Sequence, residues 1–376
     1  MKFIDLFAGI GGFRLGMESA GHECVAFCEI DKFARASYKA IHNTEGEIEL
    51  HDITTVTDEE IRNIGHVDVI CGGFPCQAFS IAGARRGFED TRGTLFFEIA
   101  RFAAILKPKY LFLENVKGLL NHDKGNTFET ILSALDELGY DVEWQVLNSK
   151  DFGVPQNRER VFAIGHLRGE RGRKVFPIGG NGATIDCEQP KINKVGNIRK
   201  KGKSQSGDVV SVDSLAPTLC STTTQKDPLK ISVAGNLPGS YEQNGRVYDP
   251  KGISPTLNTM QGGGRQPKIR VREATKKGYA EATVGDSVNL AHPNSKTRRG
   301  RVGEGIANTL VTGDSQGVVM PNFRIRKLTP RECWRLQGFP DWAFDKAQEV
   351  NSNSQLYKQA GNSVTVNVIK EIARYL

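Results

Sequence analysis

No apolar run in the 376 residues approaches the ~20 needed to span a bilayer. The opening MKFIDLFAGIGG passes straight into a strand-like pattern. Secretion and membrane insertion are therefore not expected. Cysteine is scarce and scattered, with seven residues at 24, 28, 71, 76, 187, 220 and 333. The number is odd and no Cys-x-x-Cys pair occurs, which excludes a disulfide framework and leaves no thiolate zinc site. A metal-free protein of a reducing cytoplasm is the expectation.

What is present is ordinary in bulk. Hydrophobic residues at 38% and charged residues at 25% suit a chain able to bury a core. At roughly 150 residues per domain the length suggests two domains of unequal size. The net charge of +7 is unevenly distributed: residues 178–327 carry 23 Lys and Arg against 12 Asp and Glu, a net of +11. The remainder carries 27 against 31, a net of −4. A basic segment set into a mildly acidic chain points to a polyanion partner for that segment.

Short apolar runs at Phe3–Phe7, Cys24–Glu29, Val67–Cys71, Tyr110–Glu114, Val142–Leu147 and Val161–Gly165 have the character of strands. Between them, Phe13–Ala20, Lys32–Ile41, Thr94–Leu106 and Phe128–Leu138 have helical spacing. Such alternation predicts a mostly parallel sheet covered on both faces, with ligands at the carboxyl ends of its strands. After about Gly179 the texture changes to Gly, Pro, Ser, Thr and Lys, and helical periodicity fades until Thr329. An irregular domain of short strands and long loops is expected there. It contains a weak repeat, Ala216-Pro-Thr-Leu, Ser254-Pro-Thr-Leu and Ala307-Asn-Thr-Leu. Order returns with a helix from Leu328-Thr329-Pro330-Arg331-Glu332, Thr329 being the cap. A closing amphipathic segment follows at Asn362–Leu376.

Chemistry-bearing residues gather at predicted strand ends. The first strand runs into Phe7-Ala8-Gly9-Ile10-Gly11-Gly12, where glycines permit a tight turn and close approach of a ligand. The second ends in Glu29-Ile30-Asp31, placing a carboxylate for ribose hydroxyls. The dinucleotide fingerprint is incomplete, because G-x-G-x-x-G counted from Gly9 needs glycine where Arg14 stands. A nucleoside without phosphates fits better than a pyrophosphate cofactor. Asp52-Ile53 could meet an adenine edge and face.

Gly72-Gly73-Phe74-Pro75-Cys76-Gln77-Ala78-Phe79-Ser80 follows a buried-type strand, so Cys76 falls at the sheet's carboxyl edge. A cysteine there attacks only if neighbouring dipoles or cations favour its thiolate; a small buried residue is the commoner fate. Two further motifs favour chemistry. Leu113-Glu114-Asn115-Val116 puts a carboxylate at the end of another strand, and Gln156-Asn157-Arg158-Glu159-Arg160 puts two guanidiniums at alternate positions on one side of a third. Thiol, acid and paired arginines converge on one cleft.

With these residues in view, the chain resembles the cytosine-C5 DNA methyltransferases of bacteria and their phages. FAGIGGFRLG, GGFPCQAFS, GTLFFEIAR, LENV, QNRERVF, LTPREC, RLQGFPD and QAGNSV stand in that family's order, over Met1–Gly165 and Lys327–Leu376. The resemblance implies a Rossmann-like, doubly wound, mostly parallel α/β sheet of the class I S-adenosylmethionine-dependent methyltransferases. With it goes a smaller, irregular, β-rich target-recognition domain. Residues 1–178 would form the catalytic and cofactor domain, completed by about 341–376. Residues 179–340, including the closing helix segment 327–340, would form the recognition domain.

By the same resemblance Cys76 is the nucleophile that adds to C6 of cytosine, making C5 able to accept a methyl group. Glu114 holds the exocyclic amine and N3, Arg160 binds O2, and Arg158 buttresses the site against Glu114 or a phosphate. S-adenosylmethionine is the implied donor. Phe7, Gly9, Gly11, Gly12, Glu29, Asp52, Ile53, Pro75, Leu95, Phe96, Asn362, Ser363 and Val364 are its implied contacts.

Duplex DNA is the implied partner, with the target base extruded from its stack. Gln77, Ser80, Arg85 and Arg86 belong to a segment, Gln77–Gly93, expected to close over DNA. The family has one Thr-Leu element near the extruded base. Here Thr309-Leu310 is favoured by position, with Thr256-Leu257 next and Thr218-Leu219 a third copy. Expected besides are a monomer, the cytoplasm of a bacterium or phage-infected cell, and a role in restriction-modification or anti-restriction, with a cognate endonuclease as a potential partner. The competing expectations are a transfer-RNA cytosine-C5 methyltransferase and a catalytically dead DNA-binding homologue.

Overall fold

The computed structural model describes residues 1–75, 95–170, 173–178, 268–291, 295, 297–313, 315–321 and 324–376, together with the backbone of four short strands between 194 and 248. Cys76, Gln77, Ser80, Arg85, Arg86, Thr218, Leu219, Thr256 and Leu257 lie outside the described residues. The chain divides into two compact units. The first comprises Met1–Gly182, Ile306–Gln316 and Lys327–Leu376, and the second Ala183–Gly305 with Gly317–Arg326.

The first unit is built on seven strands: β1 (Lys2–Leu6), β2 (Glu23–Cys28), β3 (Ile48–Leu50), β4 (Val69–Gly73), β5 (Tyr110–Val116), β6 (Tyr140–Asn148) and β7 (Glu159–Leu167). Their order is β3-β2-β1-β4-β5-β7-β6, with β7 antiparallel to both neighbours and the remaining pairings parallel. The period of two in the sequence divides the core. Ile4, Leu6, Ile70, Leu111, Leu113, Val161 and Ala163 lie under α4 (Leu95–Leu106) and α5 (Asn126–Glu137). Phe3, Val69, Cys71, Tyr110, Phe112, Phe162 and Ile164 face α1 (Gly12–Ser19) and α9 (Val366–Ala373).

Local signals account for several helix starts. The Asp31 carboxylate caps α2 (Lys32–Ile41) through the N–H groups of Phe33 and Ala34. Thr57 and Glu60 form a capping box on α3 (Asp58–Asn63), and Thr329 and Glu332 form another on α6 (Pro330–Leu336), with Pro330 in its first turn. Two further helices, α7 (Asp341–Val350) and α8 (Asn353–Asn362), complete the unit. The segment 327–340, expected in the recognition domain, falls in the first unit. The reason is packing: fully buried Trp334 lies against Phe339 and Phe344 and donates its indole N–H to the Leu356 carbonyl.

One core residue violates the pattern. Asp5 shares the face of Phe3, is wholly buried, and among the described residues no side chain hydrogen-bonds its carboxyl oxygens. Burial pushes its pKa well above the usual carboxylate value, against the pull of Arg14. A carboxyl raised in this way favours the folded state at acid pH, and that contribution is lost as pH rises. Asp5→Asn removes the titration. It is expected to raise the thermal midpoint relative to the parent by more at pH 8 than at pH 5; calorimetry showing the same difference at both pH values would contradict this.

The second unit contains short hairpins. β8 (Lys194–Asn197) pairs with β9 (Asp208–Val210), and β10 (Val233–Asn236) pairs with β11 (Arg246–Tyr248). Both registers run through a glycine–valine and an asparagine pair: Gly196↔Val209 and Asn197↔Asp208, then Gly235↔Val247 and Asn236↔Arg246, each with an irregularity just before that glycine. After the hairpin of β12 (Ile269–Arg272) and β13 (Tyr279–Ala282), the pattern recurs in β14 (Ser287–Asn289) and β15 (Val302–Gly303). There Val288 pairs with Val302, and the Asn289 N–H donates to the Arg301 carbonyl. Asn197, Asn236 and Asn289 each stand about 20 residues before a Thr-Leu, so the repeat is larger than its sequence signature. The last two strands, β16 (Gln316–Val319) and β17 (Ile325–Lys327), join β14 and β15 in a four-stranded sheet. Val271, Ala282, Val288 and Val319 make a small core.

Candidate active site

A cavity of about 480 Å³ opens in the first unit at the carboxyl ends of β1, β2, β4 and β5, around the switch point where strand order reverses. One end is lined by Phe7, Gly9, Glu29, Asp52 and Ile53. Glu29 accepts hydrogen bonds from the N–H groups of Gly9 and Asp31, both at 2.7 Å. Burial raises its pKa against the opposing pull of those bonds. Gly9 has φ +57°, and among the described residues no atom beyond its chain neighbours lies within 4 Å of where its side chain would project. A chain turn and an open space therefore stand beside a carboxylate.

The other end holds Pro75, Glu114, Arg158 and Arg160. Glu114, at the end of β5, is buried, and its Oε1 lies 3.0 Å from Arg160 Nε. Burial raises the Glu114 pKa, while Arg160 and then Arg158 pull it back; the net direction is upward. Beside it, the Asn115 amide donates to the Phe74 carbonyl at 2.9 Å, fixing the chain just ahead of Pro75.

Arg158 behaves differently from its neighbour. Its guanidinium donates to the carbonyls of Leu310 (3.4 Å), Gly361 (3.2 Å) and Ser363 (2.9 Å). Burial and the Arg160 charge bring its pKa down to about 10. It thus ties three distant stretches of chain together.

Thr309 and Leu310 lie in the first unit and are docked on the entry to β7. Thr309 Oγ1 donates to the Asn157 carbonyl, and the Leu310 N–H donates to Gln156 Oε1. Ala307 pairs with Gln156 in an isolated parallel bridge. Gln156, wholly buried, also reaches the Leu336 carbonyl and Gln337; Gln337 in turn reaches the Ala360 carbonyl and accepts from Thr365.

The cavity thus brings together Phe7, Gly9, Glu29, Asp52, Ile53, Pro75, Leu95, Glu114, Arg158, Arg160, Asn362 and Ser363. Gly11, Gly12, Phe96 and Val364 are not in its lining. A side chain at Gly12 would meet Ser363 and Val364, and Phe96 is 2% exposed within the core. Ile30, His51 and Lys358 also line it, as do Phe74, Asn115, Gln359 and Gly361, which fall within the quoted motifs but carry no assigned role there. Adjacency to Glu29 and Asp52 is the only cue for Ile30 and His51. Lys358 pairs with Asp31 at 2.6 Å, although the two are far apart in the chain. Among the described residues no cluster of His, Cys, Asp and Glu could hold a metal, and no helix is long and apolar enough to cross a membrane.

A sheet in this strand order, with its one reversed strand and a ligand cavity at the switch point, is the class I methyltransferase fold. The C-5 cytosine-specific DNA methylase family model matches residues 1–376. The chain is 35% identical to the orphan methyltransferase M.SPRI of Bacillus phage SPR, covering 100% of this chain and 97% of that one. It is 36% identical to the type II methyltransferase M.HhaI of Haemophilus parahaemolyticus, covering 99% and 93%. The solved structure of S. pombe Dnmt2 methyltransferase shares the fold with a TM-score of 0.54 at 16% identity, covering 99% and 96%. The chain belongs to the C-5 cytosine-specific DNA methylases and is a DNA (cytosine-5)-methyltransferase.

Proposed function

We propose that the protein methylates C5 of a cytosine extruded from a specific duplex DNA sequence, with S-adenosylmethionine as donor and Cys76 as transient covalent catalyst. The observation carrying this is a single cavity with a nucleoside-type carboxylate at one end and a buried acid with two arginines at the other.

The residues present fit the donor. Glu29 retains acceptor capacity for ribose hydroxyls beyond its two backbone bonds. Gly9 leaves room beside it, while Phe7, Ile53 and Leu95 offer apolar contact to a purine and Asp52 an acceptor for its edge. When bound, the donor supplies an electrophilic methyl group on a sulfonium.

The chain's own groups do the rest. The Cys76 thiolate forms a bond to C6 while Glu114, protonated, gives its proton to N3, so charge does not accumulate on the ring. C5 gains enamine character and takes the methyl group. Loss of the C5 proton to a base, cleavage of the Sγ–C6 bond and return of the N3 proton to the Glu114 carboxylate restore the aromatic ring, the thiolate and the acid. Arg160 meets the O2 edge, and Arg158 positions the walls around it. Thr309-Leu310, docked through Gln156, is the Thr-Leu element that stands beside the base. The second unit supplies sequence recognition, in keeping with the positive charge of its segment.

Such marking would serve restriction-modification or anti-restriction. Incubation with methyl-labelled donor should put label into duplex DNA and not transfer RNA, and bisulfite sequencing should find 5-methylcytosine in one sequence context. Label confined to RNA, or none in DNA of any sequence, would overturn the proposal.

A further inference from the structure

The turn between β1 and α1 is held from both sides. On the cavity side the Gly9 N–H binds Glu29. On the far side the Ile10 carbonyl faces Nε2 of His42 at 3.3 Å. His42 closes α2 as its C-cap, is 7% exposed, and packs on the Tyr38 ring at 4.6 Å between centroids. Its ring occupies the space that Gly11 leaves free: a side-chain carbon there would lie 2.1 Å from Nε2. Gly11 is therefore constrained by this ring as well as by its φ of +84°.

Arg14 explains why the ring stays in place. From α1 its guanidinium makes a paired contact with the Glu47 carboxylate at 2.6 and 2.7 Å, binds the Asn43 carbonyl at 2.7 Å, and reaches Glu18 at 2.8 Å. The residue that breaks the dinucleotide fingerprint thus clamps the segment that follows His42 onto the helix that follows the turn. Two cations stand near the imidazole, Arg14 and Lys346, the latter donating to the Ile41 carbonyl. With burial they hold its pKa at about 3, so the ring is neutral. A neutral ring bonded to a carbonyl carries its proton on Nε2.

We infer that His42 is a positioning residue for the methyl donor, bracing the glycine turn from behind so that Gly9 and Glu29 keep their nucleoside-binding geometry. The inference rests on the proposed use of this cavity. The test is calorimetric titration of the full chain with S-adenosylhomocysteine, with donor KM and kcat measured on duplex DNA. His42→Leu removes the donor and is expected to weaken binding about tenfold, ~1.4 kcal/mol, raising the donor KM with kcat little changed.

His42→Gln places an N–H at similar reach and should bind within about threefold of the parent. His42→Asn, too short to reach Ile10, should resemble leucine; it provides the comparison with glutamine should the leucine variant fail to fold. Parent-like binding by the leucine or asparagine variant would overturn the inference, as would a glutamine variant no better than asparagine. Failure of the parent itself to bind would count against the proposed function instead.

Discussion

Cys76→Ser is expected to lower methyl transfer by at least about 10⁴-fold while leaving donor binding intact. Addition to C6 requires a nucleophile whose conjugate base is available near neutral pH, which a thiol provides and an alcohol does not. A duplex with 5-fluorocytosine at the target position gives the sharper measurement. Fluorine cannot leave C5 as a cation, so elimination stops and the Sγ–C6 bond persists. The parent should form a denaturant-resistant adduct with such DNA in the presence of donor, and the serine variant none. Robust turnover by the variant, or adduct formation elsewhere in the chain, would remove Cys76 from its role.

Glu114→Gln is expected to cost about 10²–10⁴ in the chemical step, the usual range for a lost general acid. An amide can hydrogen-bond the base but cannot give up a proton. The sign of the pH dependence follows from burial: Glu114 holds its proton to higher pH than a free carboxyl despite Arg160 and Arg158. Single-turnover methyl transfer by the parent should therefore fall as pH rises through that elevated value, and the glutamine variant should lack this limb. Because the substitution leaves Arg160 without its carboxylate partner, thermal midpoint and donor binding are the controls. A near-normal rate, or an unchanged alkaline limb, would mean that another group supplies the proton.

Much of the first unit was legible because its determinants are local. α2 runs from Lys32 to Ile41 as its spacing indicates, since the Asp31 cap and the buried face at Ala34, Tyr38 and Ile41 lie within the helix or beside it. The Thr329 capping box is likewise a matter of neighbouring residues. β3 has only three residues, Ile48–Leu50, too few for a periodic signal. α7 and α8 alternate polar and apolar residues less sharply, and their burial comes from Trp334 and its neighbours.

The site divides in the same way. Glu29, Glu114 and Arg160 announced themselves by charge at strand ends. The parts played by Gln156, Gln337 and His42 depend on partners far away in the chain. The QNRERVF motif marks Gln156, but its links to Leu336, Gln337 and Leu310 cannot be read from any window around position 156. Arg158 looked like the twin of Arg160 in sequence. Its three carbonyl partners set it apart.

The division of the first unit into three stretches of chain has a genetic corollary. Lys358, Gln359, Gly361, Asn362 and Ser363 complete a cavity whose other walls end by Arg160, roughly 200 residues upstream, a closure across the whole intervening segment. A premature stop or frameshift anywhere in that interval deletes the last wall together with the helices that anchor it. Such alleles should be silent. If the intervening unit reads sequence as proposed, they should not yield fragments that modify DNA indiscriminately, because truncation would remove the last wall of the cavity along with it.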